Sequence, residues 1–229
     1  MPSVLKVFHF SCGALLNAIG VCILGYGMST YWVQSEMQCS TFSTENFNGS
    51  ATVKLGLFNG SMDRRSCPGF DTRESVSVLK ALTEIGASQI ALHALAVGLL
   101  ILALVCSAGS ILVTLYNSIS NPYETYLGPL AVYACSGLSA CLSLLAIVLF
   151  VSNVYVGGVA SKLVKDVPVD LYVRNENIHL QVGYYLVLPY IVVNLLAILV
   201  IFLYVHAAYT HRREMEKPTE DAPKEIMMY

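Results

Sequence analysis

The sequence predicts an all-α membrane protein: a four-transmembrane-helix bundle with a small extracellular antiparallel β-sheet in its first external loop. Of the 229 residues, 55% are hydrophobic and only 12% are charged, and the mean hydropathy is +0.62. At that composition a soluble protein would have too few polar residues to cover its apolar core. The few charges are also spaced so that four long intervals contain none, and the first loop between these intervals carries the glycosylation signals and a pair of cysteines.

The four intervals without Asp, Glu, Lys or Arg run from Lys6 to Glu36, Glu84 to Glu124, Glu124 to Lys162 and Glu176 to Arg212. Each contains an apolar run near or above the roughly 20 helical residues that cross a hydrocarbon core of about 30 Å. Backbone amides cannot stay unpaired in lipid, and these runs lack the alternation of barrel strands, so we predict helices. The predicted transmembrane helices cover residues 7–28, 87–115, 127–151 and 182–204.

The remaining segments alternate between the two sides of the membrane. We predict a cytosolic N-terminus, a first extracellular loop, a cytosolic turn, a second extracellular loop and a cytosolic tail at residues 1–6, 29–86, 116–126, 152–181 and 205–229. A cleaved signal peptide is the alternative for the first run. Its apolar stretch is longer than the roughly 7 to 15 residues of a signal core, and no Ala-x-Ala site follows.

Orientation is predicted from the glycosylation signals. Lys and Arg counts are a weak guide for long loops, although Lys6, Arg212, Arg213 and Lys217 lie close to the membrane on the predicted cytosolic side. Asn48-Gly49-Ser50 and Asn59-Gly60-Ser61 are N-glycosylation acceptors, and both lie in the first loop. Asn-Gly also favours a tight hairpin turn, so each acceptor is expected at a hairpin tip.

Cysteine placement supports the same orientation. Five of the seven cysteines fall in apolar spans, where they read as small packing residues. Cys39 and Cys67 instead share the first loop with both acceptors, and a pair in an oxidising compartment is most simply a disulfide. Two free thiols in a cytosolic loop are the alternative. With this loop outside and four spans, both termini are cytosolic, and we expect a multi-pass protein that reaches the plasma membrane through the secretory pathway.

Within the first loop, short segments rich in Val, Thr and aromatics predict the strands of the sheet. They run from Trp32 to Phe42 and from Ala51 to Phe58, between the Asn-Gly turns. From Asp71 to Thr83, the periodic Val76, Leu79 and Leu82 predict a helix that leads into the second span.

The layout separates several four-span families. Tetraspanins carry a Cys-Cys-Gly signature in a large loop between spans three and four, and connexins carry three cysteines in each external loop; neither pattern occurs here. The chain resembles the claudin and peripheral myelin group, in which a Trp precedes Gly-Leu-Trp. Here Trp32 precedes Leu55-Gly56-Leu57-Phe58 and Gly60, but Cys39 lies before that motif, whereas both claudin cysteines follow it.

A second motif is more specific. It runs over Tyr116-Asn117-Ser118-Ile119-Ser120-Asn121-Pro122-Tyr123 and then Gly128-Pro129. It is similar to the cytosolic turn and third-span entry of the clarins, and with the first-loop motif the resemblance covers most of the chain. That resemblance implies a tetraspan scaffold of the claudin-like superfamily. Better-known clarins are linked to membrane and actin-associated complexes in sensory cells, a role that need not transfer between paralogues.

Catalysis and transport are not predicted. The spans offer only His9 at an edge, His93, Asn17 and Asn194, which is too little for an enzyme, and charged residues that would mark an ion path are missing. We interpret Asn17 and Asn194 as hydrogen-bonding between helices and His93 as a hydrogen-bonded packing residue rather than a proton carrier. No metal spacing occurs, no cofactor is expected, and scattered Lys and Arg exclude nucleic acid as a partner.

Packing within the membrane is predicted from small residues and a proline. Ser136 with Ala140, and Gly137 with Cys141, are interpreted as bundle contacts, with a dimer interface as the alternative. Pro189 is expected to kink the fourth span.

The polar C-terminal tail ends in Ile226-Met227-Met228-Tyr229. Apolar residues at Met227 and Tyr229 fit a PDZ groove, which adds a peptide as a strand and holds its carboxylate. The expected partners are therefore membrane lipids, other membrane proteins bound through the helices and first loop, and a PDZ-domain scaffold protein. We predict a non-enzymatic membrane organiser or auxiliary subunit. The alternatives are a claudin-like adhesion or barrier protein and, less favoured, a channel.

Overall fold

The computed structural model of the chain describes residues 4–40, 49–66, 71–119, 128–165 and 172–215. Within these ranges, four helices are long and apolar enough to cross a membrane, at Val4–Ser29, Ala87–Ile119, Pro129–Gly157 and Val182–His211. Three predicted spans fall inside these helices. The helix of the third span begins at Pro129 instead of residue 127, because Gly128 is its extended N-cap and proline fits the first helical position.

The helices have definite ends. In chain order they are α1 Val4–Ser29, α2 Val78–Ile85, α3 Ala87–Ile119, α4 Pro129–Gly157, α5 Val159–Lys165, α6 Val182–Tyr185 and α7 Val187–Met215. Gly158 ends α4 in the left-handed conformation, with φ of 58°, which glycine adopts at no steric cost. The fourth span is interrupted at Leu186, between α6 and α7. Pro189 has no N–H to offer the Tyr185 carbonyl four residues earlier, so the break lies where proline disrupts the helix.

The long helices form a four-membered ring. α1 packs against α3 and α7, and α4 packs against the same two helices from the other side. Leucines such as Leu102, Leu144 and Leu196 lie on the outside of the ring, about half exposed. Lipid is as apolar as leucine, so this exposure has no cost and the inside of the ring can be lined by small and polar residues.

One antiparallel sheet sits at one end of the bundle. Its strands are β1 Tyr31–Ser40, β2 Gly49–Gly56, β3 Asn59–Arg65, β4 Thr72–Ser77 and β5 Tyr172–Leu180. The order is β4-β3-β2-β1-β5. This arrangement of a helix bundle and a small sheet is claudin-like.

The two faces of the sheet differ in polarity, as the two-residue period of strands requires. The inner face carries buried Val33, Met37, Val53, Leu55 and Met62, which join the core formed with α2, α5 and the ends of the spans. We call the opposite side the outer face. Its described residues are half-buried or exposed and, apart from Tyr172 opposite Ser40, polar; they include Gln34, Glu36, Gln38, Thr52, Lys54, Ser61, Asp63, Arg65, Arg73, Ser75, Asn177 and His179.

The fifth strand was not predicted. It comes from the loop after α5 and pairs with β1 through Val33↔Leu180 and Ser35↔Ile178. The register shifts between Glu36 and Gln38, and Asn175 on β5 adopts a φ of 54° there. Because β1 follows α1 directly and β5 directly precedes α6, this pairing holds both loops on the same side of the bundle.

Two predictions about the first loop are wrong in part. A helix was expected from Asp71 to Thr83, but Thr72–Ser77 forms β4 and the helix begins only at Val78. Pairing with β3 satisfies that backbone and overrides the local period. The Asn59-Gly60 pair was expected at a hairpin tip, yet the turn is Leu57-Phe58, and Gly60 lies within β3 opposite Leu55. Asn48 lies outside the described residues.

Candidate functional site

The sheet is fastened to the bundle by a cluster that we call the junction, made of Trp32, Leu57, His93, Phe150 and Gly183. The Trp32 side chain is fully buried, and its Nε1 donates to the Gly27 carbonyl oxygen at 2.8 Å. The indole packs edge-on against Phe150, with ring centroids 4.9 Å apart. A β1 residue thereby joins the end of α1 to α4.

The Trp32 indole packs against Gly183. A Cβ added at Gly183 would collide with Trp32 Cδ1 and would stand 2.6 Å from Trp32 Nε1 and 2.8 Å from Thr30 Oγ1. The tryptophan therefore lies directly against the α6 backbone. Only glycine allows this approach, and sequence reasoning did not identify it.

His93 holds the β2–β3 turn down on the bundle. Its side chain is 3% exposed, and Nε2–H donates to the Leu57 carbonyl oxygen at 2.8 Å. The ring lies 6.2 Å from Phe150, so the histidine and the tryptophan share one aromatic neighbour. The interpretation of His93 as a hydrogen-bonded packing residue agrees with this contact.

The residues of the first-loop motif lie in and around this turn. Leu55 and Leu57 are buried, whereas Phe58 is 41% exposed. A Cβ at Gly56 would stand 2.9 Å from the carbonyl oxygens of both Thr30 and Asn59, and one at Gly60 would stand 2.8 Å from that of Lys54. The two glycines thus permit close backbone packing on either side of the turn.

Cys39 lies at the far end of β1 and is fully buried. Its strand partner is Gly49, where an added Cβ would stand 3.0 Å from Cys39 Sγ and 2.6 Å from the Ser66 carbonyl oxygen. The glycine therefore leaves a clear path across β2 from Cys39 towards the end of β3. Cys67, which follows Ser66, lies outside the described residues.

A second feature, which we call the seam, consists of two groups of hydrogen-bonded polar side chains inside the bundle. Its members are fully buried and come from all four spans: Asn17, Ser107, Ser110, Ser136, Ser139, Tyr190 and Asn194. In one half, Asn17 Nδ2 donates to Ser110 Oγ at 3.2 Å, and Ser110 Oγ lies 2.8 Å from Ser136 Oγ. These contacts tie α1, α3 and α4 together.

Tyr190 is the centre of the other half. Its hydroxyl lies 2.8 Å from Ser107 Oγ, contacts Ser139 Oγ and donates to the Ala103 carbonyl oxygen at 3.1 Å. Ser107 Oγ also donates to Asn194 Oδ1 at 3.3 Å. Asn17 and Asn194 were predicted as interhelical contacts, but their partners were not. The serines recur three or four residues apart on α3 and α4, and that spacing in an apolar run is the signal that could have found them.

The small residues of α4 divide between the two sides of the helix. Ser136 and Ala140 are buried in the bundle, as predicted. A Cβ at Gly137 would have nothing within 4 Å, and Cys141 is exposed. The prediction that Gly137 and Cys141 pack inside the bundle is therefore wrong, because they lie on the opposite face of the helix.

Comparison with known proteins decides the family. The chain is 33% identical over 231 residues to Clarin-3 of Mus musculus, 30% identical over 234 residues to Clarin-3 of Homo sapiens and 33% identical over 232 residues to Clarin-3 of Rattus norvegicus. Each comparison covers 100% of both chains. No protein-family model matches.

The chain belongs to the clarin family.

It is a multi-pass tetraspan membrane protein, and within the clarins it is similar to clarin-3. In the clarin turn motif, Tyr116 is exposed and Asn117 is buried, its Nδ2 donating to the Val113 carbonyl oxygen at 2.9 Å. Gly128 and Pro129 start α4. Five further predicted site residues lie outside the described part of the chain: Asn121, Pro122 and Tyr123 of the motif, and Met227 and Tyr229 of the tail.

Proposed function

We propose that this clarin is a non-enzymatic membrane organiser or auxiliary subunit that holds partner proteins against its sheet and its cytosolic tail. The observation that carries the proposal is the outer face of the sheet, which is polar at its described positions apart from Tyr172 at the start of β5 and is held on the bundle by the buried junction. Glu36 and Lys54 lie on neighbouring strands there, and Arg73 pairs with Asp63 at 3.2 Å. A surface of mixed charge fits recognition of a polar partner.

The seam supports a structural role for the bundle. Its side chains are neutral, and each makes a hydrogen bond within the bundle. Ion and proton paths are usually marked by ionisable groups that face a cavity. Hydrogen bonds between neutral groups instead select one arrangement of the helices.

We propose plasma-membrane localisation through the secretory pathway, with both termini cytosolic. Asn59 is exposed on β3, and its side chain shares the polar face with Ser61 and Asp63 by strand parity. A glycan at this position therefore meets open space. Treatment with an endoglycosidase should increase the gel mobility of wild type and leave an Asn48→Gln, Asn59→Gln double variant unchanged. Equal mobility of treated and untreated wild type would refute glycosylation.

We propose that Cys39 and Cys67 form a disulfide. Cys39 is fully buried and lies across Gly49 from Ser66, the residue before Cys67, whereas the five cysteines of the spans are free thiols. Closing a loop of about 28 residues contributes roughly 3 to 4 kcal/mol by restricting the unfolded chain. Cys39→Ser, Cys67→Ser and the double variant should lose the same stability in thermal unfolding, whereas Cys141→Ser should lose little. Free thiols at both positions in non-reducing mass spectrometry would contradict the pairing.

We propose that the tail ending at Tyr229 binds a PDZ domain, which would link the protein to a cytosolic scaffold. Deleting Met227 to Tyr229 should abolish capture by a panel of PDZ domains because the terminal carboxylate and both apolar anchors are lost. A variant with an added C-terminal glycine keeps every residue but moves the carboxylate, so it should fail as well. Capture that survives both changes would remove this part of the proposal.

The five-stranded claudin-like sheet is the observation that favours the second candidate, cell adhesion. A charge-reversed outer face, with Glu36→Lys and Lys54→Glu, tests the two candidates together. An organiser should lose partners in proximity labelling from the tail, with no change in cell contact. Aggregation of two mixed cell populations that depends on the wild-type sheet would favour adhesion, and an unchanged labelling profile would contradict the organiser proposal.

A further inference from the structure

A crevice opens between the end of α1 and the β2–β3 turn. Its cavity volume is about 410 Å³, within the range of about 300 to 1,000 Å³ typical of small-molecule sites. Ser29 and Tyr31 lie on one side, and Phe58 and Asn59 lie on the other. The crevice therefore includes the acceptor asparagine of the second glycosylation site.

Two aromatic rings beside the crevice have free surface. Tyr31 is 45% exposed and Phe58 is 41% exposed. Phe58 stands next to Leu57, which is buried in the junction, so the turn cannot move without disturbing that core. An aromatic side chain left half open at a rigid turn provides a face on which an apolar surface can stack.

The chemistry of the lining selects a neutral, hydroxyl-bearing ligand. None of the described residues that line the crevice carries a formal charge. Ser29 Oγ donates to the Tyr26 carbonyl oxygen and Thr30 Oγ1 to that of Gly27, so both oxygens keep lone pairs for an incoming donor. An N-acetylglucosamine ring meets both requirements, since one C–H face is apolar and its rim carries hydroxyl groups and an amide N–H.

We propose that the crevice binds the first N-acetylglucosamine of the glycan attached to Asn59, which stacks on Phe58 and Tyr31. The inference rests on the proposed glycosylation of Asn59 and adds a binding site for the sugar. Gly56 lets the backbones of Thr30 and Asn59 approach each other beside the crevice, because a side chain there would meet both of their carbonyl oxygens. The attached sugar then contacts both the end of α1 and the sheet, beside the junction.

The chain contains its own matched control. The tetrapeptide Phe-Asn-Gly-Ser occurs at residues 47–50 and again at 58–61. Asn48 precedes Gly49 at the start of β2, whereas the crevice adjoins Gly56 at its end, about 23 Å away at roughly 3.3 Å per residue. The two acceptors share their local sequence, but Gly49, the described neighbour of Asn48, lies at the opposite end of β2 from the crevice.

Hydrogen exchange of full-length protein in lipid nanodiscs tests the proposal. Protein with uniform oligomannose glycans is compared intact, trimmed by endoglycosidase H to one N-acetylglucosamine, and fully deglycosylated by peptide N-glycosidase F. A Ser61→Ala variant removes the acceptor site while keeping Asn59, and Asn48→Gln is the control. Mass spectrometry first establishes whether Asn59 carries a glycan.

Amides of residues 28–31 and 56–59 should stay equally protected in the intact and trimmed forms. They should exchange roughly threefold to tenfold faster in the deglycosylated form and in Ser61→Ala, as expected for the loss of stacking contacts. Asn48→Gln should match wild type. If Asn59 is occupied and exchange is unchanged after deglycosylation, this inference alone is overturned. Protection that changes with the sterol content of the nanodiscs, and not with the glycan, would also overturn it and would assign the crevice to lipid. Unoccupied Asn59 would overturn the glycosylation proposal as well.

Discussion

Gly183→Ala is expected to prevent the protein from reaching the cell surface. The added methyl group would overlap the Trp32 indole, which is fully buried, hydrogen-bonded to Gly27 and packed against Phe150. Overpacking a rigid core costs about 1 to 3 kcal/mol or more. Here the indole cannot rotate away without breaking the contact between sheet and bundle, so we expect the upper end of that range.

Gly98→Ala is the matched control for this substitution. Gly98 also lies in a span, but a Cβ there would have nothing within 4 Å. Alanine in a helix interior is favoured over glycine by about 0.5 to 1 kcal/mol, so this variant should be neutral or more stable. Surface biotinylation and thermal unfolding in detergent measure both variants. Wild-type behaviour of Gly183→Ala would show that the junction does not fasten the sheet.

Tyr190→Ala is expected to destabilise the bundle by roughly 3 to 5 kcal/mol, the usual cost of removing a buried aromatic ring. Tyr190 is 0% exposed and lies at the centre of the seam, where its ring also packs against Gly20 of α1. The substitution leaves a cavity and removes three hydrogen-bonding contacts at once. Reduced thermal stability in detergent and retention inside the cell should both follow.

Tyr190→Phe separates the two contributions. It keeps the ring and removes only the hydroxyl, and hydrogen bonds between membrane helices average about 0.6 kcal/mol. Ser107 and Ser139 can still bond to each other at 2.9 Å, so we expect a loss of about 1 kcal/mol. Leu195→Ala on the lipid-facing side of α7 is the control and should lose less than either. Equal stability of Tyr190→Ala and wild type would contradict the packing described for the seam.

The spans were predictable because membrane insertion depends on local composition. Long stretches without charge identify the helices whatever their neighbours are, and the fourth-span break follows from Pro189 alone. The first two strands were also predictable from local composition, since β-branched and aromatic residues favour strands. The family motif was also visible, because it is contiguous in the chain.

The missed features all depend on contacts between distant residues. β5 carries Arg174, Asn175 and Asn177, which do not favour a strand, and it forms because β1 offers an edge about 140 residues earlier in the chain. The turn at Leu57-Phe58 prevails over Asn-Gly because Leu57 is buried and its carbonyl binds His93. Gly183 looks ordinary in sequence, and its role appears only where Trp32 lies against it.

Labelling of single introduced cysteines tests the central claim most directly: a four-span bundle that holds the sheet outside the cell and the end of α7 inside. Ser75 on β4 and Thr210 on α7 are both exposed and lie at opposite ends of the molecule. A membrane-impermeant maleimide should label Ser75→Cys on intact cells, and it should label Thr210→Cys only after permeabilisation, with wild type as the background. Labelling of Thr210→Cys on intact cells, or protection of Ser75→Cys until permeabilisation, would contradict the topology.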